Sequence, residues 1–503
     1  MTESPGSPGP GPGAAPGGSA GLSRPVTQPN YLIGPWLVVL MGSELLALFA
    51  ESPVAEVAAH VLLLGVPLIG WRRLRLREAY LLGLCAALLT LAYLYDPQPR
   101  ELILRGLDRA GFLAAFILLM GLLREGGITS PSVLQCGTYV TQQPPQWRFL
   151  AVFMGGHFFS VLINLGSLSL LAPIIQRGVR GDHRQREDLD EIALLRERRQ
   201  LTALLRGFAW FLLWAPTAVT QAILPTLIPG VDPGRVLLIG GLLALLMLAV
   251  SWGEDTLRWW PLRRRLRASG KLPQRENLPL PRAALLRLGA VSALLFGLTL
   301  LFTYWGGVLL VAGVMLAAPV VLLVWVFLQQ QAPAAGARIA ATSRRLAEVT
   351  AVGLPSFLRE AVSLGAAGFI GTGAAALVPA DQVAAVLSVE QMPGWIFLSL
   401  LTLFVWLCGL VALSPITTAV FLGSLVTELG AVPADPTLMV LAIAAGTAIC
   451  TLGAPFASGT LMLARASGYS GVDLTWRWNL AYTLASMAVL AAVYALLTSG
   501  IFM

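Results

Sequence analysis

The sequence predicts an all-α polytopic membrane protein, with about 11 transmembrane helices and two re-entrant hairpins in an inverted-topology repeat. Three observations predict it. Hydrophobic residues make up 56% of the 503 and charged residues only 12%, a composition that belongs in lipid. Apolar stretches long enough to span a bilayer recur along the chain. Two further stretches, Trp147 to Ile175 and Trp395 to Val426, are interrupted at their centres by polar residues.

Taken in order, residues 1–29 are rich in Pro, Gly and Ser, lack an apolar core, and read as a disordered tail rather than a signal peptide. Spanning segments are expected at about 30–50, 53–70, 78–95, 101–124, 207–228, 234–252, 284–304, 306–328, 348–376, 437–463 and 476–500. The formal charge of +8 does not indicate a nucleic-acid partner, because the arginines sit in short loops between apolar segments. They cluster at 72–77, 177–206, 258–271 and 338–345, and the positive-inside rule puts all four clusters, with the N-terminus, on the cytoplasmic side. The expected location is the bacterial inner (cytoplasmic) membrane.

Parity then classifies the interrupted stretches. If 148–176 crossed once, the eight arginines of 177–206 would lie outside. If it dips in and returns, that loop stays inside, and so does every later basic loop, provided 394–427 also dips in, from the opposite face. Pro415, at the centre of the second stretch, removes a backbone donor where a plain spanning helix needs it. Freed polar backbone is tolerated at membrane depth only where protein or a water-filled cavity covers it.

The halves resemble each other. Asp108-Arg109-Ala110 precedes Arg359-Glu360-Ala361, Pro145-Gln146-Trp147 precedes Pro393-Gly394-Trp395, and Trp214-Ala215-Pro216-Thr217-Ala218 precedes Gly453-Ala454-Pro455-Phe456-Ala457, at offsets of about 240–250 residues. Their common order predicts a peripheral first helix (30–52), a first repeat (53–257) with hairpin 148–176 and broken helix 207–228, an extended cytoplasmic linker (258–283), and a second repeat (284–503) with hairpin 394–427 and broken helix 437–463. Residues 182–206 read as a charged connector of helical periodicity, expected along the interface, over the inner hairpin, or simply solvated.

This plan resembles the ion transporter superfamily, which includes the divalent anion/sodium symporters, citrate carriers and arsenite pumps, over about residues 30–503. Of the Ser-Asn-Thr signature at each hairpin tip of the anion/sodium symporters, Asn164-Leu165-Gly166-Ser167 keeps the Asn and a later Ser. Ser414-Pro415-Ile416-Thr417-Thr418 lacks the Asn. The resemblance implies a secondary transporter and a homodimer.

A helix that begins at a hairpin tip points unpaired N–H groups and its positive end into the site, which suits an anion. A helix that ends there offers carbonyls to Na⁺ or H₃O⁺. The expected substrate-binding residues are therefore Asn164, Gly166, Ser167, Ser414, Pro415, Thr417 and Thr418. Pro216, Thr217, Thr220, Gly453, Pro455, Ser458 and Thr460 are expected to bind the coupling ion or shape the breaks. Asn164, Ser167, Ser414, Thr417 and Thr418 can replace water around a solute without burying a permanent charge, and Thr220 and Thr460 could add hydroxyls. Each hydroxyl also has a plainer reading, as a bond back to its own helix.

The expected function is coupled movement of a small, anionic solute by alternating access, driven by Na⁺ or H⁺, in contact with the lipid bilayer and without a cofactor. No GxxxxGK[ST] stretch supports ATP drive, and no HExxH or paired-Asp motif supports catalysis. The four cysteines show no CxxC spacing and lie near no histidine cluster, so neither a disulfide framework nor a zinc site is expected. An ion channel and an intramembrane lipid-modifying enzyme are the alternatives. Among ionisable residues at depth, His157 is expected to be packed and hydrogen-bonded, with proton coupling as the second reading. Glu56 and His60 are expected to form a structural pair near Glu44, Glu428 to be exposed, and Arg124 to pair with Glu125.

Overall fold

The computed structural model describes residues 32–180, 190–268, 279–330 and 334–499. The expected tail at 1–29 lies outside them, as do parts of the basic segments at 177–206 and 258–271. Every regular element among the described residues is helical.

The first half opens with α1 (Ile33–Ala50), α2 (Pro53–Ile69), α3 (Leu76–Tyr95), α4 (Pro99–Ile128) and the short α5 (Pro131–Thr141). Then come α6 (Arg148–Ile163) and α7 (Gly166–Arg180), joined by a two-residue tip, and α8 (Glu191–Phe211), α9 (Val219–Leu227) and α10 (Pro233–Ala268). The second half has α11 (Arg282–Gly306), α12 (Leu310–Gln329) and α13 (Ala335–Glu348). A π-helical turn at Val349–Gly353 then leads into α14 (Leu358–Ala376), which bends by 73° into α15 (Ala380–Leu387). Next are α16 (Gly394–Leu410), α17 (Pro415–Glu428), α18 (Pro436–Gly453), α19 (Ser458–Ser467) and α20 (Leu480–Thr498).

Among the described residues, eight helices are long and apolar enough to cross a membrane, or nine if the bent pair α14–α15 is one span. The two expected spans that fall short are Pro53–Ile69, with 17 residues, and 207–228, which is cut between Phe211 and Val219. Local sequence sets these boundaries. Ser52 caps α2 through the Ala55 amide, with Pro53 in the first turn. Asp435 likewise caps α18 ahead of Pro436.

Three expectations need correction. The charged connector is not separate from the broken helix: Glu191–Phe211 is one helix, capped by Asp190 and buried from Gln200 onward. The linker is not extended throughout, since α10 runs as a helix to Ala268 despite Pro261. The basic cluster at 338–345 lies on α13 rather than in a loop. Arg and Glu are good helix formers, and Arg258–Glu254 and Arg345–Glu348 pair along their own helices, while Arg199 and Arg206 pair from Glu191–Phe211 to Asp255 and Glu254.

The core is built from α4 and α18, which are buried along most of their lengths. The Gly/Ala-rich α14 packs against α4, as small residues allow at close helix crossings. The packing is also reciprocal: α6 lies on α8 as α16 lies on α18, and α7 contacts α19 as α17 contacts α9. Each hairpin therefore touches the broken helix of the opposite half.

Candidate functional site

The two breaks are built alike. Ala215-Pro216-Thr217-Ala218 and Ala454-Pro455-Phe456-Ala457 are turns with the same backbone pattern. The amide of Ala218 donates to Ala215 O (2.9 Å) and that of Ala457 to Ala454 O (3.2 Å), while Ala215 N and Ala454 N donate to Phe211 O and Cys450 O. Proline stops each helix because it lacks the donor. A threonine then bridges the gap: Thr220 Oγ1 donates to Leu212 O at 3.0 Å and Thr460 Oγ1 to Thr451 O at 2.6 Å.

The first tip turns on Asn164, which sits at φ 48° and ψ −132°, a positive φ that residues other than glycine seldom adopt. Its Nδ2 donates to Thr217 O (3.0 Å) and its Oδ1 accepts from Leu165 N (2.8 Å), locking hairpin to break. Thr217 Oγ1 returns a bond to Val161 O (2.7 Å). Gly166 leaves room for Arg124, whose Cγ would be 2.9 Å from a Cβ at that position. The second tip uses Pro415 as the first residue of α17, with Thr418 Oγ1 donating to Ser414 O at 3.2 Å.

Both tips and both breaks meet in one cavity of about 310 Å³. Asn164 and Leu165 line it from the first hairpin; Ser414, Pro415 and Ile416 line it from the second. Leu212 and Val219 line it from one broken helix; Thr451, Ser458 and Gly459 line it from the other. Helices α9, α17 and α19 all begin at this wall, and no side chain caps the N-terminal residues Ala218, Ser414 or Ala457. Three positive helix ends therefore converge on the space.

The other expected residues lie behind the wall. Ser167 is fully buried, its Oγ 2.8 Å from Ser160 Oγ and donating to Asn164 O. Thr217, Thr220, Thr418 and Thr460 spend their hydroxyls on backbone carbonyls. Thr417 Oγ1 is buried without a partner among the described residues. Gly453 packs under Trp406, with its carbonyl accepting from Trp476 Nε1 at 3.1 Å, and Pro216 and Pro455 are buried within their turns.

The charged lining was not anticipated. Arg77, Glu78, Arg359, Glu360 and Arg465 all face the cavity. Arg359 grips Glu78 through two bonds of 3.0 Å each. Glu360 Oε1 lies 3.8 Å from Arg124 Nη1, and the Arg124 guanidinium stacks over Phe357 at 5.1 Å. Arg124 thus pairs across to α14 rather than with Glu125, which pairs with Arg345 at 3.2 Å; adjacent residues on a helix do not face each other. Three lining arginines stand against two glutamates, and Arg124 lies just behind. The available signal was an ionisable pair inside the apolar segment 348–376, which by default marks function at membrane depth.

His157 is packed as expected. One ring nitrogen, Nδ1, is 3.0 Å from Gly207 O, and the other accepts from Trp214 Nε1 at 3.0 Å. This full use of both nitrogens fits a neutral ring and leaves none for a relay. His60 pairs not with Glu56 but with Asp108, at 2.7 Å. Glu428 is exposed.

The chain matches no family model and no curated protein. Among solved structures it is similar to the Alcanivorax borkumensis YdaH transporter, described as having an unusual topology, with a TM-score of 0.50 and 15% identity over 85% of this chain and 99% of that one. The likeness shows the fold: an all-helical integral membrane protein sharing the architecture of that transporter.

Proposed function

We propose that the chain is a secondary active transporter that moves a small anionic solute by alternating access, coupled to Na⁺ or H⁺. One observation carries the reading. The two hairpin tips and the two broken-helix turns, about 250 residues apart in sequence, line a single cavity with an excess of arginine and three uncapped helix N-termini. Helix N-termini and guanidinium groups both stabilise negative charge, most strongly where water is scarce.

The reciprocal packing of each hairpin on the other half's broken helix supports two oppositely inserted repeats that rock against each other. Arg77 and Arg465 border segments that the positive-inside rule assigns to the cytoplasm, so a cavity reached from their side fits an inward-facing state. Carbonyls at the ends of helices that stop at a break are the kind of oxygen donor a coupling Na⁺ takes, and here they would offer their second lone pair, since Leu212 O, Thr451 O and Gly453 O already accept from Thr220, Thr460 and Trp476. The fold shared with a protein described as a transporter agrees with this role.

The test is flux into proteoliposomes holding the full chain, with labelled citrate, succinate and phosphate offered under imposed Na⁺ or proton gradients. The expected result is saturable uptake of at least one anion, accelerated by the same anion on the trans side. Ohmic, non-saturating current, or no movement of any of the three under either gradient, contradicts the proposal.

A further inference from the structure

A second cavity, of about 550 Å³, lies away from the hairpin tips, between α1, α2, α4 and the α11–α12 turn. Its charge is opposite in sign to that of the first: Glu44, Glu56 and Asp108 face it, with Arg109 as the counter-charge and His60 beside them. The Arg109 guanidinium is already engaged, donating to Thr226 Oγ1 at 2.9 Å and to Thr226 O at 3.1 Å.

Glu56 and His60 stand one turn apart on α2 and so share a face, while α4 brings Asp108 opposite them. One donor atom from each of the three lies within 4.8 Å of the others. Bonds of about 2.0–2.2 Å from one metal ion place neighbouring donors roughly 3–4 Å apart, so small side-chain movements close the set.

Glu44 supplies an independent observation. It lines the same cavity, is only 7% exposed, and makes no hydrogen bond or ion pair among the described residues. A Cβ on Gly111 would run into Glu44 Oε1, so glycine at 111 is what admits this carboxylate. A buried carboxylate without a partner is costly, and a cation in the cavity relieves it.

We propose that Glu56, His60 and Asp108 bind a divalent cation of the zinc type, clamping α2 to α4, with the Glu44 carboxylate lining the same cavity as further negative charge. One imidazole with carboxylates is a donor set that zinc accepts, whereas magnesium, which favours all-oxygen octahedra, does not. The site is separate from the anion cavity and stands or falls independently of the transport reading.

The test is Zn²⁺ binding to the purified full chain with its purification tag removed, by calorimetry, repeated with Mg²⁺ in excess. The proposal expects a Zn²⁺ site that excess Mg²⁺ does not displace and that weakens by about tenfold or more in Glu56→Gln and in Asp108→Asn. Glu56 is exposed, so its variant keeps the fold, which an unchanged melting temperature without metal verifies. Absence of saturable Zn²⁺ binding, or binding of equal strength in both variants, overturns the proposal.

Discussion

At the scale of the residue, two kinds of polar group serve different ends. Asn164 does two tasks at once: it adopts the positive φ of the turn and ties the hairpin to Thr217 O. Glycine accepts the same φ without strain, so Asn164→Gly isolates the amide. It is expected to lower anion uptake by about tenfold, or ~1.4 kcal/mol in the barrier, without loss of folded protein; uptake equal to that of the parent chain would remove Asn164 from the site. Arg465 is exposed and lines the cavity. Arg465→Gln is expected to raise the KM for the anion with little change in maximal rate, the signature of lost uniform binding.

At the scale of the element, the bridging threonines make the breaks rigid. Thr460→Val leaves the buried Thr451 carbonyl without its hydroxyl donor and is expected to destabilise by about 1–2 kcal/mol, and Thr220→Val by less, since Leu212 O keeps a 3.4 Å bond from Gln221 Nε2; Thr→Ser at either position restores most of it. Thermal melts in detergent check this. Arg206 is the larger case: 1% exposed, it binds Glu254, Ser251 and Asn479 and stacks 3.9 Å from the Tyr482 ring centroid, joining α8 to α10 and α20. Arg206→Met is expected to destabilise by about 3–5 kcal/mol, read as a large fall in melting temperature.

Much of this scale was legible in the sequence. Proline at 216, 415 and 455, and the polar run Asn164-Leu165-Gly166-Ser167, marked the positions where the helices are interrupted, because helix interruption is a local matter that needs only the residues on the spot. What each hydroxyl does was not legible. A threonine at membrane depth has the same sequence signature whether it faces a solute or, like Thr220, bonds a carbonyl eight residues back. The ion pairs were hidden for a different reason: Arg359 meets Glu78 across 281 residues, a distance no local pattern encodes. The amphipathic α5 went unread because it is neither apolar enough to span nor charged enough to stand out.

At the scale of the whole molecule, the two cavities divide the charges. The matched positions Asp108-Arg109 and Arg359-Glu360 line different spaces, one richer in carboxylates and one in guanidinium groups. A carrier of small anions needs only the second to be reached alternately from each side. That in turn requires the two hairpins to enter from opposite faces of the membrane. The direct measurement is impermeant-maleimide labelling of single cysteines at the hairpin ends, in a chain with its four native cysteines replaced. Gln146, Arg177, Glu390 and Glu428 are all exposed positions suited to it. The account predicts that Gln146→Cys and Arg177→Cys both react only from the cytoplasmic side, and Glu390→Cys and Glu428→Cys only from the outside. Labelling of the two ends of either hairpin from different sides of the membrane would contradict it.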